Sequence, residues 1–139
     1  MDPMYTTEAL ATGAGRDGNV KVADGGLDFD LAAPESMGGS GDGNNPEQLF
    51  AAGYAACFHS ALQVVARSQK KDLGDSTVGA KVSIGKEGDG FALAVELEVV
   101  IPAQPHDEAQ ALADAAHQVC PYSNATRGNI PVTVTVSDD

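Results

Sequence analysis

The sequence predicts an α+β fold, and three observations carry that prediction. A stretch without formal charge, residues 48–66, has the composition of a long packed helix, and short β-type segments lie on both sides of it. The resulting order of strands, helix, strands, helix, strand lacks the regular alternation of a doubly wound sheet. At 139 residues one domain, 1–139, is expected, long enough for a real core. Aromatic residues are few and Trp is absent, so that core is expected to consist of Ala, Val, Leu and Ile.

Residues 5–12 can pair with the segment after them. Residues 18–23 place Val20 and Val22 on one face, Asp24-Gly25-Gly26 signals a turn, and residues 27–31 alternate again, which predicts a hairpin. Arg16 stands in the Gly15-Arg16-Asp17-Gly18 connection, where by turn statistics alone a charge is simply solvated. Residues 33–45 form a Gly-rich, flexible loop without the Gly-Lys-Ser/Thr ending of a phosphate-binding loop. The central helix is expected over residues 45–68: Asn45 caps it, Pro46 takes the first helical position and Gln48 completes a capping box. Its length admits a membrane span, but Gln48, Tyr54, His59, Ser60 and Gln63 interrupt it and no basic flank precedes it. It is expected to be wrapped on most sides.

Residues 76–85 and 91–101 read as a second hairpin, with Phe91, Leu93, Val95, Leu97 and Val99 on one face and Glu96 and Glu98 on the other. A second helix is expected from Asp107, paired with Gln110 in a capping box, to Val119; Pro121 breaks or redirects the chain just after Cys120. Residues 129–137 close the chain as a strand carrying Ile130, Val132, Val134 and Val136 in register.

A net charge of −12 argues against nucleic acid or an anionic membrane as partner. The first residues lack a basic region followed by an apolar one, so a cytoplasmic location is expected. In a reducing compartment Cys57 and Cys120 read better as a redox or catalytic pair than as a structural disulfide. They are too far apart in sequence for a Cys-x-x-Cys motif, yet each lies on or at a helix bound for the same core. On helical spacing Cys57 shares a stripe with Phe50, Gly53, Tyr54, Ala61 and Val64, and Gly53 leaves room for a small reactant. A buried thiol needs a cation to become a thiolate. Arg16 is the candidate, with Glu47 in the first helical turn as the carboxylate that holds it. Against this stand two inert core cysteines, which composition alone allows equally. A zinc site is weaker: His117-x-x-Cys120 shares one face, but Cys57 and His59 diverge by about 200° and no four-ligand set emerges. No Gly-x-Ser-x-Gly elbow marks a serine nucleophile.

The motifs NPEQLFAAGYAACF around Cys57 and VCPYSNATRGNIPV around Cys120 closely resemble the OsmC/Ohr family, within it the organic hydroperoxide resistance branch. The GRDG segment and the order of elements agree, with Asn44 standing where the family more often has Thr. The resemblance implies an OsmC/Ohr-like fold, with N- and C-terminal antiparallel strands around a buried central helix in an intertwined homodimer. It implies a thiol peroxidase reducing organic hydroperoxides, including fatty-acid hydroperoxides, to alcohols. Cys57 would be the peroxidatic and Cys120 the resolving cysteine, Arg16 the activator of the thiolate and Glu47 its orienting carboxylate. No metal, haem or flavin cofactor is implied; the reductant would be an external dithiol, in similar proteins lipoyl groups on enzyme complexes. A general stress peroxidase of the OsmC type and a non-catalytic lipid-binding protein are the alternatives.

One expectation concerns two chains. Glu47 and Cys57 are ten residues apart, about 15 Å along a straight helix. An arginine held by Glu47 cannot also touch the sulfur of the same helix, so two antiparallel central helices in a twofold dimer are expected to share each site.

Overall fold

The computed structural model describes residues 1–138. The chain divides into two compact units, Met1–Leu49 and a second beginning at Phe50. The first unit carries a three-stranded antiparallel sheet of β1 (Ala9–Thr12), β2 (Asn19–Val22) and β3 (Asp28–Asp30). The expected hairpin is present, with Val20 opposite Phe29 and Gly25 in a left-handed turn. This sheet has almost no interior of its own. Ala32 is the unit's buried residue among those described, whereas Leu10 is 68% and Leu27 49% exposed.

The Gly-rich loop departs from expectation. It is folded against itself: Ala32 N–H donates to Asn44 O, Asn44 N–H to Asp30 O, and a 3-10 turn fills Glu35–Met37. Gly39 is needed for close approach, since a Cβ there would lie 2.1 Å from Ala33 O. Its glycines compact the loop instead of loosening it.

Helix α1 (Pro46–Ser68) starts as its sequence dictates. Asn45 Oδ1 accepts from Gln48 N–H at 2.9 Å and Gln48 Oε1 accepts from Asn45 N–H at 3.0 Å, a complete capping box. Asn44 Nδ2 also donates to Gln48 Oε1 at 3.2 Å, so this side chain reinforces the cap. Among the described residues α1 is the one helix long and apolar enough to cross a membrane. Its Tyr54, Phe58, Ala61, Leu62, Val65 and Ala66 are instead buried in the protein core. The helix is less enclosed than expected: Ala52, Ala56, Ser60, Gln63 and Val64 remain exposed along one side.

In the second unit β4 (Thr77–Glu87) and β5 (Gly90–Val100) form the expected hairpin around Gly88-Asp89. Then α2 (His106–Val119) and α3 (Pro121–Thr126) lead to β6 (Val132–Val136). Cross-strand rows Val82–Val95–Val132, Ala80–Leu97–Val134 and Val78–Val99–Val136 build the inner face. Lys81, Glu96 and Thr133 make a row of the outer one. Phe91, assigned to the inner face by its alternation, lies at the hairpin tip and is 66% exposed. The strand β6 runs parallel to β5, where antiparallel strands were expected. The cause is the helical crossover, because α2 and α3 carry the chain back to the end of the sheet where β5 began.

The inner face packs on α1 and on Ala109, Leu112, Ala113 and Ala116 of α2. The capping box expected on α2 does not form. Pro105 precedes the helix without a side-chain cap, Asp107 and Glu108 occupy the first turn, and Gln110 bonds to Asp114. The two carboxylates support that end through the helix dipole instead. The short helix α3 was not anticipated. Phe58, fully buried at the centre of this core, is expected to cost about 3–5 kcal/mol on replacement by Ala, read as a fall in the urea midpoint with unchanged slope.

Candidate active site

Cys57 sits half-buried on α1 and Cys120 is fully buried at the corner between α2 and α3. Their sulfurs are 3.8 Å apart, in contact and not bonded. The corner has a simple local cause. The residue before a proline is disfavoured in the helical region, so Cys120 takes φ −59° and ψ 123° and α3 restarts at Pro121. Cys120 N–H still donates to Ala116 O, and Cys120 O accepts from Asn124 N–H, which ties the residue to both helices.

Burial is the largest influence on the Cys57 thiol and pushes its pKa up. The Tyr122 backbone N–H pulls it down, and the neighbouring Cys120 adds to the rise. Among the described residues of the second unit, no basic side chain acts on it. Left to these neighbours Cys57 is a thiol, not a thiolate.

Tyr122 is the residue that sequence reasoning missed here. Its ring meets Phe50 at 6.1 Å and Tyr54 at 5.6 Å between centroids. It also fills the space over Gly53, where an added Cβ would lie 2.9 Å from the phenol oxygen. The room expected beside Gly53 is therefore taken by this ring. Tyr54 faces inward with no exposed surface, so Phe50 and Tyr122, not Tyr54, border the accessible side. Tyr54 OH joins a buried polar chain with Ser123, Thr126 and His117. Burial and the nearby Arg127 charge lower the His117 pKa. The sequence signal was present in the spacing: His117, Cys120, Ser123 and Thr126 recur every third residue.

In the first unit Arg16 lies in a 3-10 turn, Gly15–Asp17, which Asp17 anchors by accepting from Ala33 N–H at 3.1 Å. The guanidinium makes a two-pronged contact with Glu47, Nη1 to Oε2 and Nη2 to Oε1, both 2.7 Å. This bond lowers the Glu47 pKa and raises that of Arg16. The pair's contribution to stability is therefore present above the ordinary glutamate range and fades as pH falls through the depressed Glu47 value. His59 bonds to Ser76 Oγ at 3.0 Å, while His106 faces Asp138 on the surface. Among the described residues no three His, Cys, Asp or Glu side chains gather as a metal would require.

Fold and site define a class: an α+β protein that sets two free thiols in contact at a helix corner. Residues 39–135 match the family model described as OsmC-like protein, and the chain belongs to that family. The matched span includes Glu47, Cys57 and Cys120. An organic hydroperoxide resistance protein from Xanthomonas axonopodis pv. citri is 52% identical over 136 residues, 96% of this chain and 95% of the relative. The crystal structure of an organic hydroperoxide resistance protein from Elizabethkingia anophelis superposes with a TM-score of 0.94 at 54% identity, covering 100% of both chains. That of an organic hydroperoxide resistance protein from Legionella pneumophila gives 0.95 at 50% identity, over 98% of this chain and 99% of that one.

Proposed function

We propose that this chain is a cysteine peroxidase that reduces organic hydroperoxides to alcohols. The observation that carries the reading is the 3.8 Å contact between a half-exposed and a buried sulfur. The names of the similar proteins support the substrate class. The Cys57 thiolate attacks the peroxide O–O bond, the alcohol leaves with one oxygen, and Cys57 keeps the other as a sulfenic acid. The Cys120 thiol displaces that oxygen as water and a disulfide forms. An external dithiol, a lipoyl group in our reading, reopens it and is itself oxidised to a cyclic disulfide. The cycle runs on thiols alone, draws its electrons from that dithiol and suits a reducing cytoplasm.

The thiolate needs a cation, and Arg16 is our candidate because a guanidinium stays charged when desolvated. Held by Glu47 at two points, it has a fixed plane to present. We assign it to a site shared in a homodimer, since ten helical residues, about 15 Å, separate Glu47 from Cys57. The nearly coreless sheet of the first unit and the exposed side of α1 support a second copy as their cover.

The primary test is consumption of cumene hydroperoxide by the pure protein with dithiothreitol. No consumption would refute the peroxidase and favour a lipid carrier. Phe50 and Tyr122 should also make the enzyme prefer apolar tails. Burying about three methylenes contributes roughly 2 kcal/mol, about thirtyfold in kcat/KM over hydrogen peroxide. Equal efficiency on the two peroxides would contradict an apolar approach to Cys57.

A further inference from the structure

The polar chain behind the sulfurs has a placement that ordinary satisfaction of core groups does not require. Tyr54 OH lies 2.8 Å from Ser123 Oγ and 3.2 Å from Thr126 Oγ1, and His117 Nδ1 lies 2.7 Å from Ser123 Oγ. Tyr54 and Ser123 have no exposed surface. Tyr54 stands one turn before Cys57 on α1. His117 and Ser123 stand three residues before and three after Cys120. The Tyr54–Ser123 bond thus spans the same two elements as the Cys57–Cys120 contact, one turn away from it.

Apolar packing between α1 and the α2–α3 corner is non-directional and tolerates sliding. A buried hydrogen bond is directional and costly to leave unmade. Because both neighbouring helices hold the Cys120 backbone, its sulfur follows the corner as a body. A shift of the corner by about an ångström is enough to cost a reaction on the order of a hundredfold.

We propose that Tyr54, Ser123 and His117 are positioning residues for closure of the Cys57–Cys120 disulfide, a polar strut that fixes the corner against α1. The proposal rests on the assignment of these cysteines as the reacting pair. In the step it serves, the Cys57 S–O bond breaks and the S–S bond forms. The oxygen leaves as water carrying the Cys120 proton.

The test uses variants that delete one polar atom each, Tyr54→Phe and Ser123→Ala, equilibrated in oxidised and reduced dithiothreitol. Two protein thiols and the cyclic disulfide exchange for the protein disulfide and two free thiols, counted by mass spectrometry after alkylation. Each variant is expected to lower the disulfide-forming constant about tenfold, equivalent to about 30 mV, with the double variant little worse than either single one. Formation of the Cys57 sulfenic acid with cumene hydroperoxide should keep its wild-type rate. Constants within about twofold of wild type, even with a lowered Tm, would overturn the strut. So would an equal loss in sulfenic acid formation, because the network would then act on Cys57 as a whole. Should Ser123→Ala misfold, Tyr54→Phe keeps the ring and decides alone. Wild-type protein inert to hydroperoxide would refute the peroxidase, while the exchange constants would still judge the strut.

Discussion

Cys57→Ser is expected to lose hydroperoxide consumption by on the order of a thousandfold or more, because a serine hydroxyl can be neither oxidised nor recycled. Cys120→Ser should behave differently. Its Cys57 keeps the first reduction, one hydroperoxide per chain, and then stalls with no partner 3.8 Å away. With the sulfenic acid left open, further peroxide carries Cys57 to sulfinic acid. Stopped-flow consumption of one equivalent, followed by intact mass, separates the two variants. A Cys120→Ser protein unable to perform even that first turnover would reverse the assigned roles.

The second large effect tests the proposed sharing of the site between two chains. Glu47→Ala should lower turnover roughly a hundredfold, since the guanidinium loses both contacts that orient it. Mixing this variant with Cys57→Ser under conditions of verified subunit exchange should restore activity. In a heterodimer one Cys57 meets an intact Glu47 from its partner while the other site is doubly dead. At statistical exchange about a quarter of wild-type specific activity is expected. No recovery would place Glu47 and Cys57 of one site in one chain.

Much of this molecule was legible because its signals are local. Asn45 and Gln48 build the cap that their spacing demands, and the alternation around Val95, Leu97 and Val99 gives the inner face of the sheet. The cap on α2 misled because Asp107 and Gln110 fit a pattern that a proline, Pro105, had already pre-empted. The direction of β6 depends on a long crossover, which no residue of the strand itself encodes. The two cysteines and, separately, the Arg16–Glu47 pair were legible as chemical types. Tyr122 was not, since a ring that packs over Gly53 from another helix leaves no mark on either segment's periodicity. Ser123 and Thr126 look like turn residues in sequence, and only burial reveals them as hydrogen-bonding partners of Tyr54.

The parallel seating of β6 also sets an order of events during synthesis. The β4–β5 ribbon closes through a two-residue turn, with little loop entropy opposing it. The β5–β6 pairing must wait until the segment carrying both later helices has been made and gathered in. Cys120 rides on that segment, whereas Cys57 emerges earlier, on a helix that the first ribbon can already cover. A newborn chain therefore passes through an interval with one thiol in place and its companion still astray. Through that interval Cys57 lacks the neighbour that would close a disulfide with it, so the redox chemistry of the pair is among the last properties the chain acquires.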